Sequence, residues 1–221
     1  METELAIQKI QKTAIEENFW QLEFQTSGGP IKGRYHSVPF FDQSGAVLLV
    51  SGSSGGLDGP AARIYRSICE ILPSIKVACL RLDYRFPSQF ESCVKDAKVG
   101  IEFLVREKCP KIILVGHSFG GAVVISAAAA KTAVTGVISL ATQTYGTDPV
   151  ARISPRPILL LHGTDDKVLS DECSREVFRN AKDPRELKLY LGAGHEFNEV
   201  RDELLKDVTR WVSKHCRLGR K

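Results

Sequence analysis

The sequence predicts an α/β fold built on an eight-stranded, mostly parallel β-sheet with helices on both faces. From residue 46 onward, short continuous apolar runs alternate with helix-length segments. This alternation indicates a parallel sheet, because each parallel crossover requires a covering helix. Before residue 46, two segments alternate apolar and polar residues with a period of two, which is typical of antiparallel strands with one solvated face. We therefore expect an antiparallel N-terminal hairpin joined to a parallel sheet.

The composition predicts one globular domain over residues 1–221. Hydrophobic residues make up 43% of the chain, and the net charge is only +4 with Lys and Arg scattered, so no nucleic-acid partner is expected. The sequence does not open like a secretory signal, and no apolar run is long enough for a transmembrane segment, so we expect a cytoplasmic protein. Six widely spaced cysteines form no metal-binding pattern, and no metal or cofactor is expected.

The ends of the chain receive separate predictions. In residues 1–17, Leu5, Ile10 and Ala14 fit one face of an amphipathic helix, whereas Ile7 and Ile15 fit it less well. A helix and an extended arm both stay open for this segment. At the other end, residues 217–221 are predicted to be a basic, solvated tail.

The elements between these ends follow from apolar patterning and from turn residues. Strands are predicted at 20–26, 31–38, 46–51, 76–84, 111–117, 134–142, 157–163 and 186–192. Helices are predicted at 60–72, 89–108, 119–131, 170–182 and 199–216.

A Gly-His-Ser-Phe-Gly segment, residues 116–120, lies between a predicted strand and a predicted Ala-rich helix. A serine on such a sharp turn has its hydroxyl held clear of the backbone, at the carboxyl edge of the sheet. The flanking glycines fit this turn because a Cβ at either position would collide with the neighbouring strand or helix. Ser118 is therefore a candidate nucleophile, and the alternative is a Gly-Ser turn without chemistry.

Three other strands are also followed by residues suited to catalysis. In a parallel α/β sheet the ligand site lies beyond the carboxyl ends of the strands. A Ser-Gly-Ser-Ser-Gly-Gly loop follows strand 46–51, Asp165 and Asp166 follow strand 157–163, and His195 lies in a Gly-rich loop after strand 186–192. Each also has an explanation without catalysis: a flexible connection for the loop, a helix N-cap for the aspartates, and a structural histidine for His195.

The order Ser118, Asp166, His195 and the His-Gly-x-x-Asp segment at 162–166 carry a family resemblance. Over residues 46 to 215 the chain resembles the α/β-hydrolases, and among them the compact serine hydrolases without a cap domain. The resemblance implies Ser118 as nucleophile, Asp166 as acid and His195 as base. Asp165, and more remotely Asp148, stay open as alternatives to Asp166.

The resemblance also implies an oxyanion hole formed by the backbone N–H groups of Ser53 and Phe119, with Ser54 as the alternative to Ser53. Dienelactone hydrolases are a related group of similar size that has cysteine at the nucleophile elbow, the turn that residues 116–120 form in this chain. This chain has Ser118 there, which argues against their particular chemistry.

The implied activity is cleavage of a carboxylic ester or thioester through an acyl-enzyme, without a cofactor. Only residues 143–156 connect strands 134–142 and 157–163, too few for a cap, so an open cleft is expected. An open cleft favours a large substrate or one presented by a protein. The alternatives are a hydrolase-fold interaction module with little turnover, or an acyltransferase or peptidase using the same residues. Substrate identity and oligomeric state stay open.

Overall fold

The N-terminal part of the chain forms a three-stranded antiparallel meander. The computed structural model describes residues 5–216, apart from the side chain of Phe40. The meander consists of β1 (Ile7–Glu16), β2 (Phe19–Thr26) and β3 (Gly29–His36), so it contains the predicted hairpin. The predicted basic tail, residues 217–221, lies outside the described residues.

Strand β1 corrects the prediction for the N-terminus and raises the number of strands from eight to nine. Of the segment 1–17, residues 7–16 are a strand and not the helix alternative, because Ile10 pairs with Phe24 and Ala14 with Trp20 in an antiparallel ladder. Most of β1 is exposed, so its side chains follow no apolar period that could reveal a strand. Pairing with β2 satisfies its backbone hydrogen-bonding groups, and this long-range contact decides its conformation.

The remaining elements form the α/β part of the molecule. The strands are β4 (Gly45–Val50), β5 (Val77–Leu82), β6 (Ile112–His117), β7 (Val134–Leu140), β8 (Ile158–Gly163) and β9 (Arg185–Tyr190). The helices are α1 (Pro60–Ile71), α2 (Phe90–Arg106), α3 (Phe119–Ala130), α4 (Glu172–Asn180) and α5 (Arg201–Cys216). Each confirms a predicted element, with ends that differ by a few residues.

All nine strands belong to one sheet, in the order β1-β2-β3-β5-β4-β6-β7-β8-β9. Strand β3 pairs antiparallel with β5, and the strands from β4 to β9 pair in parallel. The chain passes from β4 to β5 on one side and then returns to place β6 on the other side of β4. At such a switch the loops after the two central strands diverge and leave a crevice.

The sheet separates two apolar cores. Helices α2, α3 and α4 cover one face and helices α1 and α5 cover the other. Strands β4, β5, β6 and β8 are buried along their whole length, as continuous apolar runs predict. Phe103 of α2 packs edge-on against Phe24 and Tyr35, with ring centroids 5.3 and 5.1 Å apart, and so joins the meander to the α/β part.

The carboxyl edge of the sheet carries no cap within the described chain. A 3-10 helix, Asp148–Arg152, is the one regular element between β7 and β8 in residues 5–216. The loops after β4, β6, β8 and β9 therefore meet at an uncovered edge. In the same range, no helix is both long enough and apolar enough to cross a membrane.

Candidate active site

Ser118 lies on a strained turn between β6 and α3. Its backbone has φ 57° and ψ −122°, a conformation that non-glycine residues rarely adopt. The Ser118 N–H donates to the carbonyl of Leu140 at 2.7 Å, which ties the turn to the neighbouring strand. A Cβ on Gly116 would overlap the carbonyl of Gly120, and one on Gly120 would overlap that of Ser51. The tight approach of three backbone segments therefore requires both glycines.

The hydroxyl of Ser118, the ring of His195 and the carboxylate of Asp166 form one hydrogen-bonded chain. The Oγ of Ser118 lies 3.0 Å from Nε2 of His195, and Nδ1 of His195 lies 2.6 Å from Oδ2 of Asp166. The tautomer of His195 that donates from Nδ1 to the carboxylate leaves Nε2 free to accept the serine proton. Three residues from the ends of three strands thus meet as the sequence predicts.

The Asp166 carboxylate is held in a single orientation. Its side chain is fully buried, and its Oδ1 accepts the N–H groups of Val168 and Leu169, each at 2.8 Å. Burial by itself raises the pKa of this carboxyl. The hydrogen bonds from Leu169, His195 and Val168 outweigh burial and hold the pKa below its ordinary value. Asp166 is therefore charged at neutral pH and accepts a hydrogen bond from Nδ1 of His195.

The three candidate acids differ in exposure and in hydrogen bonding. Asp165 precedes Asp166 in sequence, but it is exposed, and its backbone N–H donates to the carbonyl of Ala193 at 3.0 Å. Asp148 is exposed at the start of its 3-10 helix. Of the three, Asp166 is the one whose carboxylate bonds to a histidine ring within residues 5–216.

His162 supports Asp166 from below and is a residue that sequence reasoning passed over. It is completely buried, and its Nε2 lies 3.1 Å from Oδ2 of Asp166 and 3.0 Å from the carbonyl of Leu169. A carbonyl oxygen accepts only, so Nε2 carries the proton, and Nδ1 accepts from the hydroxyl of Ser174 at 2.7 Å. The signal was present in the sequence, because His162 opens the segment that supplies Asp166.

His117 plays a similar supporting part beneath His195. Its Nε2–H donates to the backbone carbonyl of His195 at 3.0 Å, and the two ring centroids are 4.8 Å apart. Burial, followed by the charge of His195, lowers the pKa of His117 to about 4. His117 is therefore neutral at physiological pH and adds no second positive charge beside the base.

One wall of the site is formed by Ser118, His195 and Asp166, and the loop after β4 forms the other. Gly52 approaches the elbow closely, since a Cβ there would lie 3.6 Å from Cβ of Ser118. Polar side chains tether the loop: Tyr84 donates to the carbonyl of Ser51 at 3.2 Å, Ser88 donates to the carbonyl of Ser53 at 2.9 Å, and Asp83 accepts the N–H of Gly56 at 2.7 Å. These contacts fix the path of the backbone beside the nucleophile.

The predicted oxyanion donors lie on this wall and on the elbow. Phe119 is the first residue of α3, where backbone N–H groups have no acceptor within the helix. The N–H of Ser53 makes no hydrogen bond within the described part of the chain. The N–H of Ser118 itself is taken by Leu140. Neither predicted donor N–H thus has a hydrogen-bond acceptor among residues 5–216.

The two walls enclose a cavity of about 580 Å³. It is lined by residues 51–60, His117, Ser118, Val168, His195 and Glu196. One ring nitrogen each of His117 and His195 and a carboxylate oxygen of Glu196 lie within 4.8 Å of one another, close enough to be considered as metal ligands. Both ring nitrogens of His195 already bond to Ser118 and Asp166, so the arrangement fits proton transfer better than metal ligation.

Known proteins share this fold. The model of the dienelactone hydrolase family matches residues 84–214, which is more than half of the chain. No curated protein matches the sequence significantly. The chain is similar to the dienelactone hydrolase from Anabaena variabilis at 17% identity and a TM-score of 0.78, covering 94% of this chain and 99% of that one.

Two further solved structures have the same architecture. The esterase domain of a Rhodothermus marinus protein has 17% identity and a TM-score of 0.72, covering 95% of this chain and 100% of that one. An α/β serine hydrolase without a lid from Xanthomonas campestris has 16% identity and a TM-score of 0.70, covering 91% and 97%. These similarities confirm the predicted α/β-hydrolase fold without a cap.

Proposed function

Because the chain belongs to the dienelactone hydrolase family, we propose that it is a serine hydrolase that cleaves a carboxylic ester or thioester. The observation that carries this proposal is the continuous hydrogen-bonded chain from Ser118 through His195 to Asp166, with donor–acceptor distances of 3.0 and 2.6 Å. The Ser118 hydroxyl is the nucleophile, His195 is the general base and Asp166 orients the imidazole.

The first half-reaction forms an acyl-enzyme. A serine hydroxyl is a weak nucleophile at neutral pH, so His195 takes its proton as Oγ attacks the carbonyl carbon. The charge of Asp166 stabilises the imidazolium that results. His195 then gives that proton to the leaving alcohol or thiol, and the bond between the carbonyl carbon and the leaving group breaks.

The oxyanion of the tetrahedral intermediate is assigned to the N–H groups of Ser53 and Phe119. A preorganised donor of this kind contributes about 3–4 kcal/mol to transition-state stabilisation. The support for Ser53 is that its N–H has no acceptor among residues 5–216 and that it follows Gly52, where a Cβ would lie 3.6 Å from Cβ of Ser118. In the second half-reaction, water activated by His195 attacks the acyl carbon and releases the acid.

The nucleophile distinguishes this chain from the dienelactone hydrolases with cysteine at the elbow. A thiolate is formed more readily than an alkoxide, whereas Ser118 depends on a positioned base. We therefore assign this chain an activity on ordinary esters or thioesters within its family. The uncapped cleft admits large substrates, including an acyl group presented on another protein.

A serine-directed fluorophosphonate probe tests the proposal. The wild-type protein should be labelled and should hydrolyse members of a p-nitrophenyl ester series of increasing acyl length. Ser118→Ala should abolish labelling, and Ser118→Ala and His195→Ala should each lower kcat by at least roughly 10⁴-fold.

The matched control is Ser54→Ala, which removes an exposed hydroxyl of the cavity wall and leaves the nucleophile in place. It should still be labelled at the wild-type rate. A wild-type protein that neither takes up the probe nor hydrolyses any ester would instead support an interaction module with the same fold. Transfer of the acyl group to an added amine or alcohol in preference to water would indicate an acyltransferase.

A further inference from the structure

The cavity wall carries one carboxylate that has no positively charged partner within the described chain, that of Glu196. The other acidic side chain of the lining, Asp58, lies 2.8 Å from the guanidinium of Arg81 and 3.9 Å from that of Arg63. Glu196 is exposed, and its carboxylate takes part in no ion pair among residues 5–216. No Lys or Arg lines the cavity, and Lys167 beside Val168 is outside its lining.

The backbone fixes Glu196 at the mouth of the site. It follows His195 directly, and its carbonyl accepts the N–H of Ala61 at 2.8 Å, which joins the histidine loop to the start of α1. Its carboxylate oxygen lies within 4.8 Å of a ring nitrogen of His195 and of one of His117. The fixed backbone therefore places the negative charge beside the base.

The position of Glu196 also decides which part of a substrate it faces. This step rests on the proposed function, in which His195 returns its proton to the leaving group. The leaving group must therefore lie on the His195 side of the cavity, whereas the carbonyl oxygen points to the N–H groups of Ser53 and Phe119. Glu196 is on the side of the alcohol or thiol.

We propose that Glu196 makes this site select esters whose leaving group is neutral or positively charged close to the ester oxygen. A carboxylate, sulfonate or phosphate at that position meets the Glu196 charge with no cation of the lining to offset it. A quaternary or protonated amine is attracted instead. The substrate class is thus an ester of a neutral or amino alcohol, and anionic leaving groups are disfavoured.

The size of the effect follows from the exposure of Glu196. Water screens the interaction, so one unit of substrate charge a few ångströms away should change kcat/KM by roughly threefold to tenfold at low ionic strength. At about 0.5 M salt the screening length falls to about 4 Å, comparable with the separation of the charges, and the effect should shrink. A charge several Debye lengths along a substrate should have no influence.

Three matched esters test the proposal. Butyrylcholine, 3,3-dimethylbutyl butyrate and 2-sulfonatoethyl butyrate have the same acyl group and the same two-carbon spacer, and they differ in a positive, neutral or negative end group. Hydrolysis is followed as acid release at constant pH. The wild-type kcat/KM should fall in the order cation, neutral, anion, with a ratio of roughly tenfold or more between the extremes at low salt.

Substitutions at Glu196 separate its charge from the rest of the site. Glu196→Gln should reduce the cation-to-anion ratio at least threefold, and Glu196→Lys should reverse the order. The ratio is measured within each variant, so a change in rate that all three esters share does not affect it. Glu70→Gln, which neutralises an exposed glutamate of α1 outside the cavity lining, should leave the ratio at its wild-type value.

The outcomes distinguish this inference from the proposed function. If the neutral ester is hydrolysed through Ser118 but the three esters react equally, or the anion reacts fastest, selection by Glu196 is refuted while the serine hydrolase stands. A ratio that is unchanged in Glu196→Gln refutes it as well. If no ester is hydrolysed and Ser118 is not labelled, the proposed function fails first.

Discussion

The two walls of the cleft are stabilised in different ways. On the side formed by Ser118, Asp166 and His195 (the triad side), buried groups hold one another. The side chain of Asp166 is fully buried and accepts four hydrogen bonds, from two backbone N–H groups and two histidine rings. On the loop side, residues 51–59 are mostly solvent-accessible and are tethered by side chains such as Ser88 and Asp83. In the proposed mechanism the loop provides a backbone donor and no catalytic side chain.

The difference predicts where the molecule tolerates change. A buried carboxylate that loses its charge leaves several donors unsatisfied at once, which is costly in a low-dielectric environment. An exposed tether that is removed can be replaced by water. Substitutions on the triad side should therefore have large effects on catalysis, and those on the loop side should have small, graded effects.

The largest expected effect separates two adjacent residues of the triad side. Asp166→Asn should lower kcat by about 10⁴-fold, because the amide cannot hold His195 in the tautomer that accepts the Ser118 proton. Asp165→Asn, the matched control, removes an exposed charge and should change kcat by less than about threefold. Steady-state kinetics on the best p-nitrophenyl ester measures both. A larger loss in Asp165→Asn would show that the acid is misassigned.

A second, smaller effect concerns the pH dependence of stability on the triad side. The folded protein holds the pKa of His117 at about 4, whereas the unfolded chain has the ordinary value of 6.5. Between these two pH values the unfolded state binds the extra proton, so acidification favours unfolding. The stability that His117 contributes is complete above pH 6.5 and falls by about 3 kcal/mol as the pH reaches 4.

Urea unfolding between pH 4 and 7 measures this dependence. His117→Gln should flatten the decline by about 3 kcal/mol relative to the wild type. Burial also lowers the pKa of His36 to about 4, so part of the decline should persist in the variant. Ser88→Ala, on the loop side, should retain the full wild-type dependence. Parallel curves for wild type and His117→Gln would contradict the assigned protonation state.

The smallest effect is expected on the loop side. Ser88→Ala removes the hydrogen bond to the carbonyl of Ser53, whose length is 2.9 Å, and leaves the triad intact. One such partly exposed bond contributes about 1 kcal/mol, so kcat should fall by up to roughly fivefold with little change in KM. Ser74→Ala removes a comparable exposed bond, to the carbonyl of Ile71, far from the cavity lining, and should have no effect. A loss in Ser88→Ala as large as that in Asp166→Asn would remove the distinction between the two walls.

Much of the fold could be predicted because local patterning and the final structure agree. Continuous apolar runs became fully buried strands such as Ile112–His117, and Gly116 and Gly120 marked the elbow through packing that only glycine permits. The strand Ile7–Glu16 could not be predicted in the same way. Its mostly exposed residues follow no apolar period, and only pairing with Phe19–Thr26 makes it a strand.

The candidate site also has a part that local sequence predicts and a part that it does not. The residue types and their order along the chain pointed to Ser118, Asp166 and His195. The supporting contacts of His162 and His117 could not be read from sequence, because they depend on which buried nitrogen faces which oxygen. The same is true of Glu196, which is an ordinary surface residue until the loop after β9 brings its backbone against the start of α1 and its side chain into the cavity lining.

The sequence by itself determined the layers of the molecule, the position of the elbow and the chemical types that meet there. The hydrophobic period and the placement of glycines are local properties, so they can be read directly from neighbouring residues in the sequence. The tertiary structure alone placed the carboxylate of Asp166, rather than that of Asp165, against His195, added the ninth strand, and left Glu196 without an ion-pair partner among residues 5–216. Each of these depends on burial and on distances between residues far apart in the chain, which no local pattern records.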